Sequence, residues 1–170
     1  LLGPKDLAIS LSTTSFTIVA SIQLFALFML WSPSKIVFAL PFEFLIYILP
    51  ILYCLSWFLL IVATIDAGLE VQSGALGWIS VLARNKPKFP ELPTTGLYKI
   101  IRHPIYASFF LAVLTVPTWT ADQIVVSLIL GGYCIFAPIL KDRRLIERHG
   151  EKYLRYKNTT PYMLPSKIIK

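Results

Sequence analysis

Charged residues along this chain are spaced so that long apolar runs lie between them. After Lys5 and Asp6 no charge occurs from Leu7 to Ser34, and none from Phe44 to Ile65. The first run opens on hydroxyl groups, Ser10 to Ser15, suited to a membrane interface, and turns apolar from Phe16 to Trp31. Trp31 marks its boundary and Ser32-Pro33-Ser34 ends it. The second run has 22 residues, enough to cross a hydrocarbon core of about 30 Å. Pro50 falls in its first two turns, where neighbours can satisfy the freed carbonyl. Val71 to Ala83 is apolar but short and holds Gly74 and Gly77, which predicts an interfacial or re-entrant helix. The basic, proline-rich stretch from Arg84 to Pro93 predicts a non-helical loop. Ile105–Thr120 and Gln123–Leu140 are parted only by Ala121-Asp122, which predicts an antiparallel membrane hairpin with Gly131-Gly132 permitting close helix contact. The predicted spans are about 15–33, 44–65, 103–120 and 122–141.

From Lys141 the polarity changes but the helical period continues. Asp142, Leu145, Ile146, His149, Tyr153 and Tyr156 recur at three- and four-residue intervals, and Gly150 marks a bend or cap. This stripe can carry Asp142, His149 and the two tyrosines beneath the bundle, near Arg102 and His103, or lie as an amphipathic helix on anionic headgroups. The predicted fold class is all-α. It is a polytopic transmembrane helical bundle of about four spans, with a re-entrant or interfacial helix and a C-terminal amphipathic cytosolic helix. One domain covers residues 1–170, with 142–170 as its cytosolic tail.

Composition agrees with this pattern. The chain of 170 residues is 56% hydrophobic and only 15% charged, with a mean hydropathy of +0.69, values that exclude an ordinary soluble domain. Membrane lipids are therefore the first partners expected. The formal net charge is +7, and nine basic residues lie from Lys141 onward against three acids. Lys5, the Arg84–Arg102 loop and the tail fall on one side and Lys35 on the other, which predicts both termini in the cytoplasm. The membrane would be a bacterial inner membrane, or the endoplasmic reticulum or nuclear envelope of a eukaryote. Charge clustered at membrane borders argues against a nucleic-acid partner. Cys54 and Cys134 sit inside apolar runs, with no spacing for a metal site or a disulfide framework. The spans hold almost no ionisable residue, which disfavours a channel or transporter. A homo-oligomer is compatible with the sequence but not indicated by it.

The candidate chemistry is concentrated in Gly96-Leu97-Tyr98-Lys99-Ile100-Ile101-Arg102-His103-Pro104-Ile105-Tyr106. Pro104 suits the first turn of a helix, and His103, preceding proline, is pushed out of the α region. Arg102 and His103 then lie in a loop at a helix mouth, where free N–H groups, a guanidinium and an imidazole together suit an anion. Arg102 alone equally fits the cytoplasmic flank of a span.

Two stretches together resemble the isoprenylcysteine carboxyl methyltransferase superfamily, integral-membrane enzymes that use S-adenosylmethionine. They are Arg102-His103-Pro104-Ile105-Tyr106, and Asp142-Arg143-Arg144-Leu145 with Gly150-Glu151-Lys152-Tyr153-Leu154-Arg155-Tyr156 and Pro161-Tyr162-Met163-Leu164-Pro165. Val116-Pro117-Thr118-Trp119-Thr120 and Trp31-Ser32-Pro33 look closer to the methanethiol S-methyltransferase and nurim-like branch, whose members usually carry further helices upstream. The resemblance implies a methyltransferase for a thiol or a prenylcysteine-like carboxylate. The implied methyl acceptor is small and apolar or lipid-like. Arg102 and His103 would be catalytic; His103, Tyr106, Asp142, Arg143, Tyr153 and Tyr156 would bind S-adenosylmethionine, and no metal is implied. Two positions depart from the family pattern: Lys141 stands where a second acid is usual, and Ser108 where glycine is common. The lysine also admits an alternative, a non-catalytic nurim-like membrane protein with an eroded cofactor site.

Overall fold

The structure is a computed structural model that describes residues 4–85 and 91–165. The middle of the predicted basic loop, residues 86–90, and the end of the tail lie outside the described residues. The chain forms two compact units, one of residues 1–32 and 67–91, the other of residues 33–66 and 92–170.

In the first unit α1 (Pro4–Leu30) packs against α4 (Ala75–Leu82), preceded by the one-turn α3 (Leu69–Gln72). The predicted short helix over Val71–Ala83 is thus broken in two. Gly74 is the break: its φ of +76° is unfavourable for a side chain, and a Cβ there would press on Thr14 and Thr17. The Thr14 hydroxyl donates to the Gly74 carbonyl at 2.5 Å, which fixes α4 to α1.

The second unit contains α2 (Leu45–Asp66), α5 (Leu97–Ile100), α6 (Pro104–Leu114), α7 (Ala121–His149) and α8 (Glu151–Thr159). Its core is α6 held against α2 and α7. The faces turned inward carry small or hydroxylated residues: Ser56 and Ala63 on α2, Ser108 and Ala112 on α6, Ser127, Gly131 and Cys134 on α7. Large side chains such as Ile51, Phe58, Ile61, Leu128 and Phe136 point outward. This inversion suits lipid, where apolar surface gains nothing by burial and small residues let backbones approach. A Cβ at Gly131 would stand 3.3 Å from the Phe110 ring, while one at Gly132 would meet nothing within 4 Å.

Two helices, α2 and α7, are long and apolar enough to cross a membrane; Thr14–Leu30 and α6 are apolar but shorter. The predicted 103–120 span is therefore not one helix. The α6 helix ends at Leu114, where the Thr115 hydroxyl turns back onto the Leu111 carbonyl at 2.8 Å. Pro117 then disfavours helical geometry at Val116. Trp119–Thr120 (β2) instead pairs antiparallel with Val37–Phe38 (β1), a ribbon that the hydrophobic pattern gives no sign of. Ala121 and Asp122, expected as the hairpin turn, are the first turn of α7, with the Thr120 hydroxyl accepting from the Gln123 N–H at 3.3 Å. The helical period that continues past Lys141 belongs to the same helix as the apolar run before it. That helix runs through Pro138 to His149 and stops at Gly150, whose φ is +54°.

A short lever sets the position of the Arg102 loop. Asp66, the last residue of α2, accepts the Leu97 N–H at 2.8 Å and so caps α5. Gly96 has φ +57° and ψ −132°, and a Cβ there would overlap the Asp66 carboxylate. Replacing Gly96 with alanine should lower unfolding stability by about 1–3 kcal/mol, measurable by thermal unfolding in detergent. An unchanged midpoint would show that this lever carries no strain.

Candidate functional site

The site is built around the Asp142 carboxylate, which α7 carries just past its apolar section into a buried position. The Arg102 Nη1 donates to Oδ2 at 2.8 Å, and the His103 Nε2 bonds Oδ1 at 2.8 Å. The Tyr153 hydroxyl donates to Oδ1 from α8, and the Lys157 ammonium lies 3.8 Å from Oδ2. Residues forty positions apart thus meet on one side chain. Three local features make this meeting. Pro104 opens α6 and leaves His103 as its N-cap, with φ −127°. The Arg102 N–H donates to the Pro161 carbonyl at 2.9 Å, so the C-terminal segment clamps the loop. The reversal at Gly150 turns α8 back so that Tyr153 faces Asp142.

Tyrosines enclose the cluster. The Tyr156 hydroxyl donates to the Tyr98 carbonyl at 2.5 Å, and its ring centroid is 5.9 Å from that of Tyr153. Tyr162 stands edge-on to His103, centroids 5.1 Å apart, beneath the Arg102 guanidinium at 5.5 Å. Tyr106 meets His103 edge-on at 6.1 Å and supports the Lys141 ammonium on its face at 5.6 Å. Beside Tyr162 lies a cavity of about 500 Å³ lined almost wholly by apolar groups of α6, α7 and the C-terminal segment.

Electrostatics give these groups distinct states. Burial pushes the His103 imidazole down to about 4, outweighing the opposite pull of Asp142. His103 is therefore neutral at neutral pH. With its Nε2–H directed at an acceptor-only carboxylate, the other ring nitrogen, Nδ1, is left able to take a proton. Burial, reinforced by Asp142, raises Tyr153, and burial raises Tyr156 to about 12, so both hydroxyls stay protonated donors. Among the described residues, the Arg102 Nε–H is a buried donor without a partner. One arginine and one nearby lysine against one carboxylate leave the cluster cationic, suited to an anionic group.

Of the residues singled out from the sequence, Arg102, His103, Asp142 and Tyr153 come together in direct contact, with Tyr106 and Tyr156 in ring contact at the edge. Arg143 does not join them: it is exposed, one helical step from Asp142, and borders a separate groove on α7. Lys157 and Tyr98 were absent from the sequence-derived set. Lys157 lies four residues beyond Tyr153, and this i, i+4 spacing is a readable signal. Tyr98 contributes a backbone carbonyl, which no side-chain pattern reveals.

The chain is similar to several curated methanethiol S-methyltransferases. That of Pseudomonas deceptionensis is 30% identical over 153 residues, covering 89% of this chain and 58% of the relative. Those of Pseudomonas sp. (strain GM41(2012)) and Crocosphaera subtropica are 23% and 26% identical, over 93% and 89% of this chain and 61% and 60% of theirs. The chain therefore spans about three fifths of the length of these relatives. No family model matches the chain, and no solved structure matches it.

Two outcomes test this geometry. Because the folded-state value of His103 lies below its unfolded value of about 6.5, protons favour the unfolded chain. Stability should be flat above pH 6.5 and fall between pH 6.5 and 4. Thermal midpoints across this range should fall less steeply in His103→Gln, and equal slopes would contradict a depressed His103. Asp142→Ala, which strands a buried guanidinium, should lower stability by about 3–5 kcal/mol in chemical unfolding. A loss below about 1 kcal/mol would contradict the central placement of Asp142.

Proposed function

We propose that this chain, a homologue of the methanethiol S-methyltransferases and so a member of the isoprenylcysteine carboxyl methyltransferase-like family, works as an integral-membrane S-adenosylmethionine-dependent methyltransferase. Its acceptor is a thiol or a prenylcysteine-like carboxylate. The observation that carries this reading is the convergence of Arg102, His103 and Tyr153 on Asp142, which joins two distant motifs into one cationic, tyrosine-walled site.

The residues suit the cofactor. The unpartnered Arg102 Nε–H can donate to its carboxylate, and the partly exposed ring of Tyr156, backed by the buried Tyr153, can take its adenine ring. When bound, S-adenosylmethionine supplies a methyl group already activated by a positive sulfur. The protein's share is then to orient and to dry the site; orientation alone can contribute about 7–11 kcal/mol. A carboxylate acceptor needs no base. A thiol must lose its proton, and the neutral His103, held through Nε2 by Asp142, offers Nδ1 for that purpose. Asp142 is a positioning residue in this scheme, fixing the tautomer of His103 and the direction of Arg102. Lys141, placed over the Tyr106 face, adds positive charge that would favour a thiolate, which supports the enzyme reading over an eroded site.

The proposed topology has both termini cytoplasmic and four crossings, with α6 and residues 115–120 making the third. In support of that third crossing, the Val113 carbonyl at the end of α6 accepts from both Gln123 Nε2 at 3.3 Å and Ser127 Oγ at 3.2 Å. A helix end in hydrocarbon needs such internal partners.

Calorimetric titration of detergent-purified protein with S-adenosylhomocysteine tests the reading. Binding is expected, with Tyr153→Phe weakening it at least several-fold and His103→Ala at least ten-fold. No binding up to millimolar ligand would eliminate the methyltransferase reading.

A further inference from the structure

The apolar cavity beside the charged cluster is out of proportion to methanethiol, the two-heavy-atom compound that gives the relatives their name. Its volume of about 500 Å³ falls in the range of about 300–1,000 Å³ typical of sites for drug-sized molecules. Ala107, Phe110 and Leu111 line it on one face of α6 at helical spacing, Ile135 lines it from α7, and Tyr162, Met163 and the exposed Leu164 border its open side from the C-terminal segment. Its walls offer almost no polar atoms, so the ribose and charged head of a nucleoside cofactor would lie there unsatisfied.

The cavity is joined to the charged cluster at two points. Tyr162 lines it while standing edge-on to His103, and its hydroxyl donates to the Ile135 carbonyl at 2.8 Å, which fixes the ring as a shared wall. Ala107 lies one turn beyond His103 on the same helix, its N–H bonded to the His103 carbonyl at 3.0 Å.

We propose that this cavity holds the apolar tail of the methyl acceptor, and that the acceptor is a thiol whose carbon chain or ring system is several times larger than methyl. The proposal rests on the methyltransferase reading above. The tail lies along α6 and α7 and brings the thiol to the rim at Tyr162, whose ring centroid stands 5.1 Å from that of His103. There the S–H proton passes to His103 Nδ1, a sulfur–carbon bond forms to the transferred methyl, and the methyl's bond to the donor sulfonium breaks. The products are an apolar methyl thioether and S-adenosylhomocysteine. A thiol also explains why the wall near His103 is neutral and aromatic, since thiols and thioethers contact ring edges favourably.

The test compares methanethiol, butanethiol and octanethiol as acceptors for the detergent-purified protein with S-adenosylmethionine, reading the thioethers by mass spectrometry. The cavity predicts kcat/KM for octanethiol at least ten-fold above that for methanethiol, and a ten-fold fall of that ratio in Ala107→Phe, which fills the α6 wall. Equal or declining turnover with chain length would overturn the proposal and leave the methyltransferase reading intact. A second readout needs no cofactor: octyl methyl sulfide should raise the thermal midpoint of the wild type but not of Ala107→Phe. If no thiol is methylated, the thiol assignment made here is wrong, while S-adenosylhomocysteine binding decides separately whether the methyltransferase reading stands. If n-octane raises the midpoint as much as the sulfide and turnover is insensitive to chain length, the cavity is a seat for lipid chains and the acceptor assignment is wrong.

Discussion

The second unit depends on one buried carboxylate being surrounded by donors. A carboxylate carried by a helix into a buried position needs partners in place of water. The guanidinium of Arg102, the imidazole of His103, the hydroxyl of Tyr153 and the nearby Lys157 ammonium supply them. They come from the loop before α6 and from α8, and meet on a residue of α7. Apolar association is weak between helices that face lipid, so a satisfied polar centre carries more of the specificity than it would in a soluble core. Buried ion pairs are not in general sources of net stability. The role assigned to this one is to select a single arrangement of the loop and the tail.

That arrangement explains why the supporting parts are rigid. Asp66 caps α5 and pins the start of the loop, Pro104 fixes its end, and the Pro161 carbonyl holds Arg102 by its backbone. Gly150 lets α8 reverse onto the cluster. The same reversal brings Tyr162 to the cavity wall, so one geometric decision serves both the charged side and the apolar side of the site. The cationic cluster and the apolar cavity thus lie side by side, with Tyr162 between them.

Much of this was legible in the sequence. The apolar runs identify α2 and α7 because length and composition suffice for helices that carry their own backbone bonds. The Arg102–Tyr106 and Asp142–Tyr156 stretches point to a shared site because their spacing on either side of two apolar runs returns the chain to one border. The failures have physical causes. The end of α6 is set by Thr115 and Pro117 rather than by hydropathy, since Val116 to Thr120 remains apolar after the helix has stopped. The β1–β2 ribbon is too short to show an alternation. The continuation of α7 to His149, by contrast, was legible, because the helical period persists across the change from apolar to charged residues, and charged residues are good helix formers. Arg143, implied by the family resemblance, lies off the cluster because neighbouring helical residues point about 100° apart. Tyr162 was visible only as part of a motif, without its place beside His103.

The most direct measurement is a double-mutant cycle on unfolding free energy with Asp142→Asn and Tyr153→Phe, alone and together. If the carboxylate is what holds α8 against the loop, the two substitutions should be coupled by about 0.5–3 kcal/mol. Strict additivity would mean that the two residues do not share an interaction, and the site described around Asp142 would not exist in solution.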